Sequence, residues 1–177
     1  MKTLDECIKN RRSVRKYRQD PVPRDLIAQV IEAGLLAASG KNKQSPVVIA
    51  VTRGELIEKM RKLNAAIHGT PDADTFYGAP AVLIVASSKK ANEATAVYDG
   101  SLTLGNMMLK AYDLGLGSCW IHRAKQSLSD ELYKEIFRSV GLDADDFEGV
   151  GHLILGYADG EYPKAPARRE GRAFFIE

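Results

Sequence analysis

Residues 101–121 read SLTLGNMMLKAYDLGLGSCWI. Up to Leu114 the stretch is apolar at helical spacing, with Lys110 and Asp113 as its only charges. Gly115-Leu116-Gly117 then breaks the period, and Ser118-Cys119-Trp120-Ile121 continues as a short β-type run. A helix with so little charge on any face belongs inside a core. The spacing predicts a long central helix from near Asp99 to Leu114 that feeds a buried strand over Gly117–Ile121.

Three more short runs share the apolar, β-branched character of that strand: Val47 to Thr52, Ala81 to Ala86, and His152 to Gly156. Helical patterns separate them. Thr3 and Glu6 form a capping box for a first helix with Leu4, Cys7 and Ile8 on one stripe, which delivers the chain to Arg11. Pro21 and Pro23 break the chain before Leu26, Ile27, Val30, Ile31, Leu35 and Ala38 recur at helical spacing, ending near Ser39-Gly40. Leu56, Ile57, Met60, Leu63 and Ile67 mark another helix, and Leu132, Tyr133, Ile136, Phe137 and Val140 a last one behind a Ser129 cap. Alternation of this kind would by itself suggest a doubly wound parallel sheet. After Gly156 the chain changes: Pro163, Pro166, Lys164, Arg168 and Arg169 precede an apolar end, Ala173-Phe174-Phe175-Ile176. A segment of that length cannot fold alone, so its apolar end needs another surface.

The 177 residues, 45% hydrophobic and 27% charged, suit one soluble domain over 1–177 with a tail from about 158 to 177. No apolar run approaches the length of a membrane span, and the N-terminus has no secretory pattern. With two cysteines, Cys7 and Cys119, the chain reads as cytoplasmic, with neither a disulfide framework nor a metal site. The net charge of +2 conceals a local excess, because residues 9–18, KNRRSVRKYR, hold six cations and no acid. Removing those six from 25 leaves 19 cations against 23 acids. Either this segment wraps a specific anion or it is a nucleic-acid patch on an acidic body, and no aromatic platform accompanies it.

Several catalytic patterns fail. Gly34 and Gly40-Lys41 miss the spacing of a phosphate loop, with Asn42 where a magnesium-binding hydroxyl should stand. The glycines of GVGHLILG lead into a strand rather than a helix, and His68, His122 and His152 lack ligand spacing. What remains is Arg11-Arg12-Ser13-Val14-Arg15, forked guanidinium donors at a helix end. Extended alternation would turn Arg11, Ser13 and Arg15 one way and Arg12 and Val14 the other. A second basic cluster, Lys164, Arg168 and Arg169, could close on the same anion.

Taken in order, RRSVRKY, SGKNKQSP, FYGAP, LGLGSCWI and LILGY with its Pro- and Arg-rich tail resemble the nitroreductase family of FMN-dependent oxidoreductases. The resemblance runs over essentially the whole chain. It implies an α+β fold, a mixed sheet flanked by helices, in an intertwined homodimer with FMN at the subunit interface. Carried residue by residue, it puts Arg11, Arg12 and Ser13 on the phosphate and ribityl chain and Arg15 at the pyrimidine edge. Ser39, Gly40, Asn42 and Gln44 match a loop that reaches the flavin from the other subunit, and Asn64 matches an asparagine that meets the pyrimidine. Trp120, Ile121 and His122 match the strand end where backbone N–H groups approach N5; Trp120 reads equally as core packing, and His122 has backbone duty only. Lys164, Arg168 and Arg169 match phosphate contacts, with the register between the two arginines open.

The implied activity is hydride transfer from NADH or NADPH to FMN and then to a nitroaromatic, quinone or similar small acceptor. Its alternative is a flavin-binding or storage protein without catalysis. The resemblance implies no metal, nucleic acid or membrane partner. This compact chain lacks the added helical segment that covers the flavin in longer relatives, and Ala38 stands where many have proline.

Overall fold

The computed structural model describes residues 2–177. In chain order its elements are helix α1 (Leu4–Asn10), α2 (Arg24–Leu35), strand β1 (Pro46–Val51), α3 (Gly54–His68), β2 (Ala81–Ser88), the short α4 (Lys89–Asn92), α5 (Ala96–Asp113), β3 (Gly117–Ile121), the short α6 (Ala124–Ser127), α7 (Glu131–Ser139) and β4 (Phe147–Gly156). The strands form one sheet in the order β1-β2-β4-β3, and all three ladders are antiparallel.

The parallel sheet suggested by alternation is therefore overturned. Val51, the last residue of β1, pairs with Val82 at the start of β2, so α3 and residues 69–80 together return the chain to the end it left. Alternation reports only that a helix intervenes; the length of backbone after the helix decides direction. The α+β architecture implied by the resemblance holds, but its sheet is antiparallel throughout rather than mixed: the one parallel pairing, Ser13 with Ser118, is an isolated bridge outside the four strands.

Period-two alternation along β2 supplies two cores. Val82, Ile84 and Ala86 face a layer with Met60, Phe76, Tyr133 and Phe137, while Ala81, Leu83 and Val85 face one with Val30, Leu104 and Met107. Burial on both faces explains the uninterrupted apolar run. Helix α5 packs against all four strands and against α2, as its low charge requires.

Boundaries moved where side chains outside the apolar pattern decided them. Helix α2 stops at Leu35, and Gly40–Asn42 forms a separate 3-10 turn. Asp130 rather than Ser129 caps α7, accepting from the Leu132 N–H at 2.9 Å, while Ser129 donates to the Gln126 carbonyl. Strand β4 begins five residues before His152, because its ladder with β2 continues past a bulge at Val150. The expected Thr3/Glu6 box closes in both directions, at 3.2 and 2.7 Å.

His152 is fully buried in β4, its Nε2 2.7 Å from the Tyr133 hydroxyl and its Nδ1 without a hydrogen-bond partner among the described residues. Burial pushes its pKa down from 6.5 to about 4. The unfolded chain thus binds a proton between those values that the folded chain refuses, and stability falls as pH drops through that window. Denaturant midpoints measured from pH 8 to 4.5 should show this loss, approaching about 1.4 kcal/mol per pH unit. His152→Gln, which cannot titrate, should flatten the slope.

Candidate functional site

The basic segment after α1 is stitched between two neighbours. Val14 donates its N–H to the Ser118 carbonyl at 3.0 Å, Arg18 donates to Tyr157, and Asp159 donates to Lys16, so residues 13–18 lie between β3 and the chain leaving β4. Val14 and Tyr17 turn inward as anchors, and Arg15 stays exposed. Three of the six cations pair with the chain's own acids: Lys9 with Asp5, Lys16 with Asp159, and Arg18 with Asp20. Among the described residues, Arg11, Arg12 and Arg15 have no carboxylate partner.

Those three are not equivalent. The Arg12 guanidinium donates to the carbonyls of Arg11 and Lys9 at 2.5 and 2.8 Å, where it satisfies the end of α1. Tyr162 brackets the same residue, accepting from its N–H and donating to its carbonyl. Arg11 reaches only the Met108 sulfur on α5, at 3.9 Å. The rest of its guanidinium makes no hydrogen bond among the described residues, while its backbone N–H donates to the Cys7 carbonyl and Ser13, two residues on, is half-buried.

A second group is the turn from Ser39 to Gln44. Lys41, Asn42 and Gln44 all adopt positive φ, 52°, 53° and 48°, which costs a residue with a side chain. A buried carboxylate holds the turn in place. Asp99, on the first turn of α5, accepts from the Gly40 N–H at 2.9 Å, the Ser45 hydroxyl at 2.6 Å and the Thr95 hydroxyl at 3.1 Å. Burial raises its pKa, but these three donors together outweigh burial and hold it below the usual carboxylate range. Ser39 Oγ accepts from the Gln44 N–H, and the Asn42 and Gln44 side chains remain exposed.

The third group closes the C-terminal end of β3. A cavity of about 400 Å³ is lined there by Arg15, Trp120, Ile121, His122 and Arg123, with His68, Asp74 and Tyr77 opposite. Trp120 is half-buried, its indole over Gly151 and its Nε1 without a hydrogen-bond partner among the described residues. His122 is exposed, its carbonyl accepting from Asn64 Nδ2 at 3.2 Å. Asn64 is fully buried, and its Oδ1 accepts from Arg123.

Arg15, Trp120, Ile121 and His122 are thus brought together as expected, with Asn64 behind them. Lys164, Arg168 and Arg169 lie on the exposed tail and make no hydrogen bond to residues 11–15. The cavity-lining Arg123 and the organising Asp99 went unread in the sequence. Arg123 directly follows the strand motif, and Asp99 is the lone acid in the first turns of an otherwise apolar helix. Those positions were the available signals.

Relatives place this fold. The structure superposes on a nitroreductase with bound FMN from Bacteroides fragilis over the whole of both chains, with a TM-score of 0.87 and 26% identity. A Bacillus subtilis protein named "Putative NAD(P)H nitroreductase YfhC" is 27% identical over 191 aligned positions, covering 98% of this chain and 93% of its own. A Methanothermobacter thermautotrophicus protein, "Putative NADH dehydrogenase/NAD(P)H nitroreductase", is 31% identical over 117 residues, 65% of this chain and 58% of that protein's length. The profile of the nitroreductase family matches residues 8–157, which carry all four strands and the cavity at the end of β3, and the chain belongs to that family.

Proposed function

We propose that the protein is an FMN-dependent oxidoreductase that takes hydride from NADH or NADPH and delivers it to a nitroaromatic, quinone or similar acceptor in the same pocket. The carrying observation is the cavity at the end of β3, where uncompensated cations meet a half-buried indole and a strand's last backbone groups. The donor set fits a flat, anionic cofactor. Arg11 and Ser13 would hold the phosphate and ribityl end, Arg15 the pyrimidine edge, and the 120–122 backbone the face near N5. Bound FMN supplies the two-electron chemistry; the protein supplies orientation, a stacking wall and positive charge where negative charge accumulates on reduction. Because three of the six cations in residues 9–18 are already paired internally, the segment suits one small anion better than a nucleic-acid backbone. Arg12 enters this reading as a cap that sets the position of Arg11. Its direct phosphate contact would require it to leave the α1 carbonyls.

Residues 1–177 would form one FMN-binding unit that works as a homodimer. Leu4 and Ile8 on α1, Val97, Tyr98 and Leu102 on α5, and Phe174–Ile176 in the tail are exposed apolar side chains in the single chain. They are surface that a second copy would cover. Arg11 meets α5 at Met108, whereas the Ser39–Gln44 turn is fixed at Asp99, nine residues and roughly 14 Å earlier along the same helix. A two-fold partner lying along α5 would bring one chain's turn to the other chain's arginines. Lys164, Arg168 and Arg169 would then reach the phosphate as the tail settles. No described helix is long and apolar enough to cross a membrane, and both cysteines are free thiols, as in a cytoplasmic protein.

Purified protein should carry a visible flavin band that bleaches on anaerobic addition of NADH or NADPH. A band that never bleaches would leave a flavin-binding protein without hydride transfer. The shared site is tested by pairing Arg11→Ala with Asn42→Trp, each abolishing FMN binding while still dimerising. After an equal mixture is refolded, about half the dimers are mixed and about a quarter of all sites recover FMN. No recovery in demonstrated mixed dimers rejects the shared site.

Asp99→Asn should weaken FMN binding without preventing dimerisation, because the strained turn loses its anionic acceptor. Its cost in stability should be on the order of 1.5–3 kcal/mol. The Asp99 contribution is full above the unfolded value near 3.8 and fades as pH falls through the lowered folded value, so the Asn variant should lose that acid sensitivity in denaturant titrations.

A further inference from the structure

Arg123 has φ 82° and ψ 8°, a left-handed backbone in which a long side chain is out of place unless its surroundings impose it. Its carbonyl accepts from both the N–H and the hydroxyl of Ser127, at 3.0 and 2.9 Å, which holds the turn. Its guanidinium lies along the buried Asn64 carboxamide, with Nε and Nη2 at 3.3 and 3.1 Å from Oδ1. The other end of that carboxamide is taken by the His122 carbonyl. Asn64 therefore has both polar ends committed to residues 122 and 123 and is closed off from the cavity. Arg123 uses two of its nitrogens on Asn64 and keeps Nη1 and the second Nη2 hydrogen, and it lines the cavity beside Arg15.

We infer that Arg123 is the side chain that meets the flavin's pyrimidine edge at this position, as a second cation beside Arg15, and that Asn64 is the positioning residue that aims it. The inference rests on the FMN reading above. Asp74 is the single carboxylate among the cavity's lining residues, facing Arg15, Arg123, His68 and His122, and it makes no ion pair with either arginine. The local field therefore favours a cofactor that gains negative charge. The sequence resemblance gave the pyrimidine contact to Asn64; the structure hands it on by one hydrogen-bonded step.

The test is the ratio of affinities for reduced and oxidised FMN, measured by titrating each into the apoprotein, anaerobically for the reduced form. Arg123→Gln should lower that ratio at least about tenfold, equivalent to about 30 mV in a two-electron potential. Arg123→Lys should recover most of the loss, since it restores charge without the fork. In an Asn64→Ala background the Arg123→Gln change should shrink, the coupling expected when one residue aims the other. Lys125→Gln, two residues away and paired with Glu148, should leave the ratio unchanged. Equal ratios for parent and Arg123→Gln, or equal losses for the Gln and Lys variants, would overturn the role of Arg123. A full Arg123→Gln effect in the Asn64→Ala background would overturn the positioning role. Parent apoprotein that binds neither form of FMN would overturn the FMN reading itself, and this inference with it.

Discussion

A Cβ built at residue 149 would lie 2.5 Å from the carbonyl carbon and oxygen of Ala124, and one at residue 151 would lie 2.2 Å from Trp120 Nε1. The first contact is against backbone, which cannot swing aside. Two glycines in β4 are thus the condition for the end of β3, the indole and the start of α6 to lie flat on the sheet. The bulge at Val150, between them, feeds the layer against which Trp120 also packs, with Leu104 and Met107. This close approach seats the end of β3 and the start of α6 against β4. The turn between them carries Arg123 in left-handed backbone, with its guanidinium along Asn64.

The other end of the site depends on a burial that would be costly if left unpaired. A carboxylate inside a core destabilises unless donors replace its water. Asp99 gathers three, and two of them, from Gly40 and Ser45, belong to the Ser39–Gln44 turn or its flank. The same bonds that make the buried acid tolerable also hold three positive-φ residues in place. Helix α5 then carries this turn near its start and the Arg11 contact further along, so one rigid element sets the distance between the two halves of the proposed site.

Much of this was legible in the residues. The period of the apolar pattern located the major helices and all four strands, because burial of one face requires that period whatever the neighbours are. The strand over Gly117–Ile121 came out with its observed ends, since glycine and a change of period bound it on the near side. The gathering of Arg15 with Trp120, Ile121 and His122 was implied by the family resemblance that the motifs carry. Strand direction was not legible, because helices between strands say nothing about how much chain returns after them. Nor was the division of labour among the cations, since Lys9, Lys16 and Arg18 look like Arg11 and Arg15 until the acids that neutralise them are placed.

The sequence by itself determined which segments are helix or strand, which faces are buried, and where the unusual positive charge and the strand-end motif lie. These are properties of neighbours along the chain, set by side-chain period, capping groups and glycine. Only the tertiary structure decided that the ladders run antiparallel, that Arg12 is spent on helix carbonyls, that Asp99 holds a turn more than fifty residues away, and that Asn64 sits behind Arg123. Each of those depends on which distant groups meet inside a packed core. A donor's partner is chosen there by distance and by the cost of leaving it unpaired, neither of which is written in local spacing.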